Sequence, residues 1–353
     1  MRRDQIDRLR CPACRAERSF ALEAREEDER EVRSGTLRCR GCGHDAPVEH
    51  GIADLLHDPP EFVVREAAGL DRFAETMRAD GWDRERILKL PYEQSGYWFS
   101  QAAAFEHLAE VMELEPGATL LDVGSNTCWA SNAFAVRGLR VTALDIAATP
   151  MQGLRTADWW FEENDVFFER VLSVMFDPAL ASESFDYVFC CEVLHHNHRE
   201  HLHRTLRELY RVLRPGGRLI VLNEPLRFVT DLKLDFGQEV AEYEGHEHVY
   251  FAPEYVLAAR RAGFAVRLMR PNTTPFFRRE PFELRYEDSA RTATKKAVKQ
   301  IVRSTRGGRR AYTLYKLLWG REVSLGMICT KPGPSAPAAA RADRPAVEQP
   351  VAG

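Results

Sequence analysis

TLLDVGSNTCW, Thr119 to Trp129, is the stretch that decides the fold. Leu120, Leu121 and Val123 make an apolar run around Asp122, and the run breaks at Gly124, Ser125 and Asn126. From Trp129 the pattern resumes as WASNAFAV, which reads as a helix, so the whole is strand, tight turn, helix. Gly124 has no Cβ, and a ligand can press against the backbone there. The helix behind it presents free N–H groups and the positive end of its dipole. In a doubly wound fold this is the first crevice, where nucleotides sit. The next apolar run, Arg140 to Leu144, ends on Asp145, about 20 residues on, where an acid can accept from both ribose hydroxyls.

The pattern repeats downstream. Strands are predicted near 119–123, 140–144, 167–172, 186–191, 217–222 and 264–270, with a seventh at 323–330. Helices are predicted near 129–137, 150–161, 199–213 and 253–262. Alternation of this kind argues an α/β fold, a doubly wound and mostly parallel seven-stranded sheet.

Three further blocks stand in order: SFDYVFCCEVLHH (Ser184 to His196), RTLRELYRVLRPGGRLIVLNEP (Arg204 to Pro225) and HVYFAPEYVLAARRAGFAVRLM (His248 to Met269). With the first stretch, they make the chain over roughly 117–271 resemble the class I S-adenosylmethionine-dependent methyltransferases of the small-molecule type. The resemblance implies a Rossmann-like fold with S-adenosyl-L-methionine as cofactor. It implies Asp145 on the ribose, and Asp122 with the Gly124, Ser125 and Asn126 turn at the methionine end. Ile146 and Met175 belong to the same binding set, and Cys191 opens the loop below the sulfonium. The sequence departs from the family at two places. The three alternate positions that the family favours as glycine are Gly124, Asn126 and Cys128. The acid often found after the third strand has no counterpart before Asp177, which leaves Asp177 or Met175 to meet the adenine.

The N-terminal module spans 1–58. Cys11-Pro12-Ala13-Cys14 and Cys39-Arg40-Gly41-Cys42 are paired C-x-x-C knuckles. Zinc takes four thiolates in a tetrahedron, and a two-residue spacer sets two of them side by side. Cys11, Cys14, Cys39 and Cys42 are therefore the expected ligands, with redox pairs or turn cysteines as the alternative. GTLRCRGCGHDAPVEHGIADLL (Gly35 to Leu56) resembles the small zinc-ribbon proteins that partner and activate methyltransferases, here fused to the enzyme. Such a module is expected to have a core separate from that of the catalytic domain.

Residues 59–116 are expected as a helical segment and cofactor lid. Pro59-Pro60 marks its start, and Tyr92, Tyr97, Trp98 and Phe99 serve either the lid or plain packing. The catalytic domain covers 117–331. His195 and His196 follow the fourth strand, where substrate enters, and imidazole suits proton transfer near neutral pH. Glu224, after the fifth strand, and His246 with His248 are the other polar groups expected at this mouth, so the catalytic candidates are His195, His196 and Glu224. Cys190 and Cys191 lack the Pro-Cys loop of a methylating nucleophile and read as packing. Residues 272–322 form an insertion, and from Arg291 to Arg321 it holds ten Lys/Arg and no acid. An RNA backbone, an anionic membrane surface or a phosphate-bearing substrate fits that charge. The Pro- and Ala-rich tail, 332–353, has no core pattern and is expected to be disordered.

Composition bounds the rest. The chain has 353 residues, 44% of them hydrophobic, and a net charge of −4, which gives no global attraction to nucleic acid. The charged start, MRRDQIDRLR, lacks the apolar core of a signal peptide, and no apolar run is long enough to span a bilayer. Eight cysteines in this length are not a secreted disulfide framework, so a cytoplasmic setting is expected. The expected function is methyl transfer to a small or carrier-linked metabolite. An RNA methyltransferase and a non-enzymatic partner scaffold are the alternatives.

Overall fold

Short apolar runs between turns become strands, and the longer amphipathic runs become helices that cover them. The computed structural model describes residues 1–93, 96–112, 114–228, 238–240, 245–269, 304–319 and 324–333. Its elements begin with four strands, β1 (Phe20–Glu27), β2 (Val32–Cys39), β3 (Asp45–Glu49) and β4 (Ile52–Asp54). Helices α1 (Glu61–Ala79), α2 (Arg84–Ile87) and α3 (Gly96–Met112) follow. The alternating part runs β5 (Thr119–Val123), α4 (Trp129–Val136), β6 (Arg140–Asp145), α5 (Ala157–Asn164), β7 (Glu169–Leu172), β8 (Phe185–Cys191), α6 (Leu202–Val212) and β9 (Leu213–Glu224). After it come β10 (Gln238–Val240), β11 (Gly245–Glu247), α7 (Ala252–Arg261), β12 (Ala265–Leu268), α8 (Arg306–Trp319) and β13 (Leu325–Thr330).

Seven strands form the expected doubly wound sheet in the order β7-β6-β5-β8-β9-β13-β12. Neighbours are parallel except β13, which runs antiparallel to both β9 and β12. Every residue of β5 is buried, as a central parallel strand covered on both faces requires. Helix α6 buries Leu202, Leu206, Leu209 and Val212, the three- and four-residue spacing of one helical face. On the opposite face of the sheet, Phe105, Phe134 and Phe189 pack edge to face.

The N-terminal module does not keep a core of its own. Strands β1 to β4 form an antiparallel meander, and β4 then pairs in parallel with β7, Ile52 opposite Arg170. The result is one sheet of eleven strands. Cys11, Phe20, Leu37 and Val48 belong to the same apolar cluster as Leu121, Val188 and Val221. The expectation of separate cores is corrected, and the reason is the edge of β7. An uncovered parallel edge would expose unpaired N–H and C=O groups, and β4 satisfies them.

An ionic cluster sits at that junction. Glu31 and Arg170 have fully buried side chains and meet at 2.6 Å. The amine of Met1 reaches Glu31 at 2.6 Å and Arg33 reaches it at 2.7 Å, while Arg170 also holds Asp158 at 2.8 Å. Burial alone would raise the Glu31 carboxyl. Arg170 and the Met1 amine outweigh it and hold the group below the usual carboxylate range. Removing one partner of such a cluster strands a buried charge, at a cost of about 3–5 kcal/mol.

The cations Lys295, Lys296 and Lys299 and the apolar Val298, Ile301 and Val302 lie outside the described residues, as does the tail from 334. Among the described residues, no helix is long and apolar enough to cross a membrane.

Candidate cofactor and acceptor cavity

A cavity of about 720 Å³ opens at the carboxyl ends of β5, β6, β7 and β8. This is where ligands bind in open α/β sheets. The turn after β5 forms its floor. Gly124 has φ +68, and a Cβ added there would sit 2.2 Å from Val193 Cγ2, so only glycine fits. The two departures from the glycine pattern also have positive φ, +43 at Asn126 and +57 at Cys128. Asn reaches the left-handed region more readily than most residues. Its backbone N–H donates to Asp145 Oδ2 at 2.8 Å, and its side-chain amide donates to Gln152 at 2.9 Å.

Asp145 lines the cavity from the end of β6. Its Oδ1 accepts from the N–H groups of Ile146 at 2.8 Å and Ala147 at 3.0 Å. With the bond from Asn126, three of roughly four lone-pair sites are taken, which leaves room for one strong bond to a ribose hydroxyl. Burial pushes this carboxyl up to about 6, against three backbone N–H groups that pull it down. Asp122, at the floor, accepts from Ser131 Oγ at 2.5 Å, and burial pushes it up to about 7. Ser125, Ile146, Met175 and Cys191 also line the cavity. Met175 stands in the wall after β7, and Asp177 does not. Asp177 is engaged by Arg10 at 2.6 Å, Arg15 at 2.7 Å and Arg204 at 2.5 Å. Burial raises the Cys190 and Cys191 thiols well above their ordinary value, which opposes a thiolate at either position.

Helix α1 roofs the cavity with Phe62, Val63, Glu66, Leu70, Phe73 and Met77. α1 lies within the segment 59–116 expected as a helical lid. Of the aromatic cluster in that segment Trp98 lines the cavity, and Tyr92 is half exposed and bonds to Glu106.

His195 and His196 both face the cavity, on the short helical turn Leu194–His196. Glu224 does not, which corrects its expected place at the mouth. It is fully buried behind the loop, where its carboxylate accepts from the backbone N–H groups of Val193, Leu194 and His195 and meets His195 Nδ1 at 3.0 Å. Glu224 is out of reach of solvent, and the loop's amides satisfy its carboxylate instead. Burial would raise the Glu224 carboxyl, but His195 and the loop amides hold it low. His196 Nδ1 meets Glu66 of the lid at 2.9 Å. Burial opposes the charged imidazole, but Glu66 outweighs it, and the His196 pKa is raised. His248 lies behind the pair, its N–H donating to the carbonyl of His195 at 2.7 Å. Sequence reasoning missed Glu66, Gln152 and Glu247 in this wall.

In the N-terminal module, Cys11, Cys14, Cys39 and Cys42 bring their sulfurs within 4.8 Å of one another. The Cys11–Cys42 and Cys14–Cys39 separations are both 3.7 Å. A tetrahedron with zinc–sulfur bonds of about 2.3 Å has edges of about 3.8 Å. Burial opposes the Cys39 thiolate, yet the Ser19 hydroxyl and the N–H groups of Cys42 and Gly41 bring its pKa down to about 6. The four close cysteines fit a zinc ribbon.

The methyltransferase domain family matches residues 121–221. A ubiquinone biosynthesis O-methyltransferase from Methylobacterium sp. (strain 4-46) is 29% identical over 163 residues, 45% of this chain and 62% of that protein. The biotin biosynthesis bifunctional protein BioHC of Cellvibrio japonicus is 26% identical over 193 residues, 53% of this chain and 36% of that protein. The chain thus spans less than two thirds of the curated relatives it matches. A solved complex of the Haloferax volcanii Trm112 methyltransferase activator with a putative methyltransferase covers 78% of this chain and 100% of its own, at 19% identity and a TM-score of 0.44. Residues 121–221 thus carry a methyltransferase domain, set on a Rossmann-like, mostly parallel sheet.

Proposed function

We propose that this chain methylates a small apolar or carrier-linked acceptor with S-adenosyl-L-methionine, in the cytoplasm, and that its four-cysteine cluster holds a structural zinc ion. One observation carries the substrate reading: the cavity wall is apolar and acidic at once. Phe62, Leu70, Phe73, Met77, Trp82 and Trp98 supply its apolar part. Its charged side chains are Glu66, Asp80, Asp122, Asp145, Glu192 and Glu247, with no Lys or Arg among the described residues. Such a wall favours a cationic cofactor and repels phosphate, which weighs against an RNA backbone as the acceptor. The eight cysteines, none in a disulfide, fit a reducing compartment.

The residues divide the work. S-adenosylmethionine supplies a methyl group already activated on a positively charged sulfur. Asp145 offers its remaining lone pair to the ribose, and the Gly124 turn lets the backbone approach the methionine end. Asp122 and Asp145 set negative charge beside a cation in a low-dielectric site. The lid excludes water, and His195 and His196 hold the acceptor in line, so that much of the rate comes from orientation. The thermal shift with S-adenosylhomocysteine tests the cofactor, and comparing metabolites of cells with and without the gene tests the acceptor. A melting temperature that the cofactor product leaves unmoved would remove the basis of the proposal.

A further inference from the structure

We propose that His195, His196 and Glu247 form a binding site for a divalent first-row metal ion on the acceptor side of the cavity. Each offers one ligand atom, and the three atoms lie within 4.8 Å of one another. All three residues line the cavity, so an ion held there faces its contents. Two imidazoles and a carboxylate leave coordination positions for water or substrate. This mixed nitrogen and oxygen set suits manganese, iron, cobalt or zinc rather than calcium.

Two further observations prepare the site. The first is orientation. Each imidazole has Nδ1 on a carboxylate of its own, His195 on Glu224 at 3.0 Å and His196 on Glu66 at 2.9 Å. A carboxylate on one ring nitrogen fixes the tautomer and directs coordination to Nε2. Glu224 is itself pinned by three backbone N–H groups, so the His195 ring is held by a rigid support. The second is charge. Glu66 and Glu247 both act on His196, and no Lys or Arg lines the wall among the described residues. Carboxylates gathered out of water are costly without a cation, and a divalent ion offsets them. Such an ion would take a hydroxyl or enol oxygen of the acceptor as a ligand and fix it toward the methyl donor. That use rests on the methyl-transfer reading, whereas the metal site stands on the geometry alone.

The test uses the full chain with its cysteine cluster zinc-loaded and no other metal. Thiolates keep zinc against cobalt, so added Co²⁺ reports on the second site. Co²⁺ is titrated by calorimetry and by its visible spectrum. We expect one equivalent per chain, with the weak bands of nitrogen and oxygen coordination and no thiolate charge-transfer band. Glu247→Gln removes a ligand, and Glu224→Gln loosens the support of His195. Each should weaken binding about 10–100-fold. Retained affinity of Glu247→Gln for S-adenosylhomocysteine shows that this variant is folded. Absence of a second Co²⁺ equivalent, or unchanged affinity in Glu247→Gln, overturns the site. Cobalt binding without S-adenosylhomocysteine binding would leave the metal site standing and remove the methyl-transfer reading. The converse would remove the metal site alone.

Discussion

Gly124→Ala should damage both stability and cofactor affinity, and the structure separates two causes. The backbone at Gly124 has φ +68, and an L-residue there costs about 1–2 kcal/mol. The new Cβ would also lie 2.2 Å from Val193 Cγ2 and 2.9 Å from Val193 Cβ. Overpacking of this kind costs a further 1–3 kcal/mol or so. The sum, about 2–5 kcal/mol, should lower the melting temperature by roughly 4–20 °C at about 2–4 °C per kcal/mol. Gly216→Ala is the control, because Gly216 has φ +85 and nothing within 4 Å of an added Cβ. It should lose the backbone part only. Val193→Ala in the Gly124→Ala background should give partial rescue, partial because Val193 Cβ is itself too close, and the cycle isolates the coupling. Thermal unfolding and calorimetry with S-adenosylhomocysteine read the two effects. Equal losses at Gly124 and Gly216, with no coupling to Val193, would refute the argument that the loop at Val193 presses on the turn.

Three further outcomes follow from the geometry. Elemental analysis should find one zinc per chain in the wild type and none in Cys39→Ser, and the whole variant chain should melt lower in a single transition, since β4 pairs with β7; a catalytic domain that melts unchanged would contradict the shared core. Asp145→Asn should weaken S-adenosylhomocysteine binding by about 1.5–3 kcal/mol, and the wild type should gain about 2.7 kcal/mol of stability at ~100 times the dissociation constant; an unaltered affinity in the variant would remove Asp145 from the ribose. Asp122 and Asp145 have folded pKa values raised to about 7 and about 6 by burial, so the folded chain holds protons that the unfolded chain has released. Stability of the cofactor-free protein should therefore fall as pH rises from about 4 to 7 and level off above; Asp122→Asn should flatten that slope, and denaturant titrations at each pH that show no difference would count against it.

The strand–turn–helix at Thr119, the existence of the seven strands and the cysteine cluster were legible because each is local. Apolar periodicity places β5 and β8 within a residue of their predicted spans, and C-x-x-C pairs announce their geometry in four letters. What was not legible is the junction. The run Ile52-Ala53-Asp54 is too short to declare a partner, and Glu31 gives no hint in its polar surroundings that Arg170 will bury it. Pairing of β4 with β7 joins segments more than a hundred residues apart, and only the need to cover an open strand edge selects it.

The same limit explains the site. His195 and His196 were visible because the loop after the fourth strand is a known position in this fold, but a histidine's role depends on which group holds its other nitrogen. Glu224 was expected to face the mouth, since an acid at a strand end usually points to solvent or ligand. The sharp turn Val193-Leu194-His195 presents three N–H groups away from water, and that turn draws the carboxylate inward. Glu66 comes from a charged stretch that reads as a solvated helix face, yet it is buried against His196, 130 residues away. The two carboxylates thus hold one imidazole each, one from the sheet and one from the lid. His195 is thereby tied to the sheet and His196 to α1, so the geometry of the pair depends on how α1 packs over the cavity.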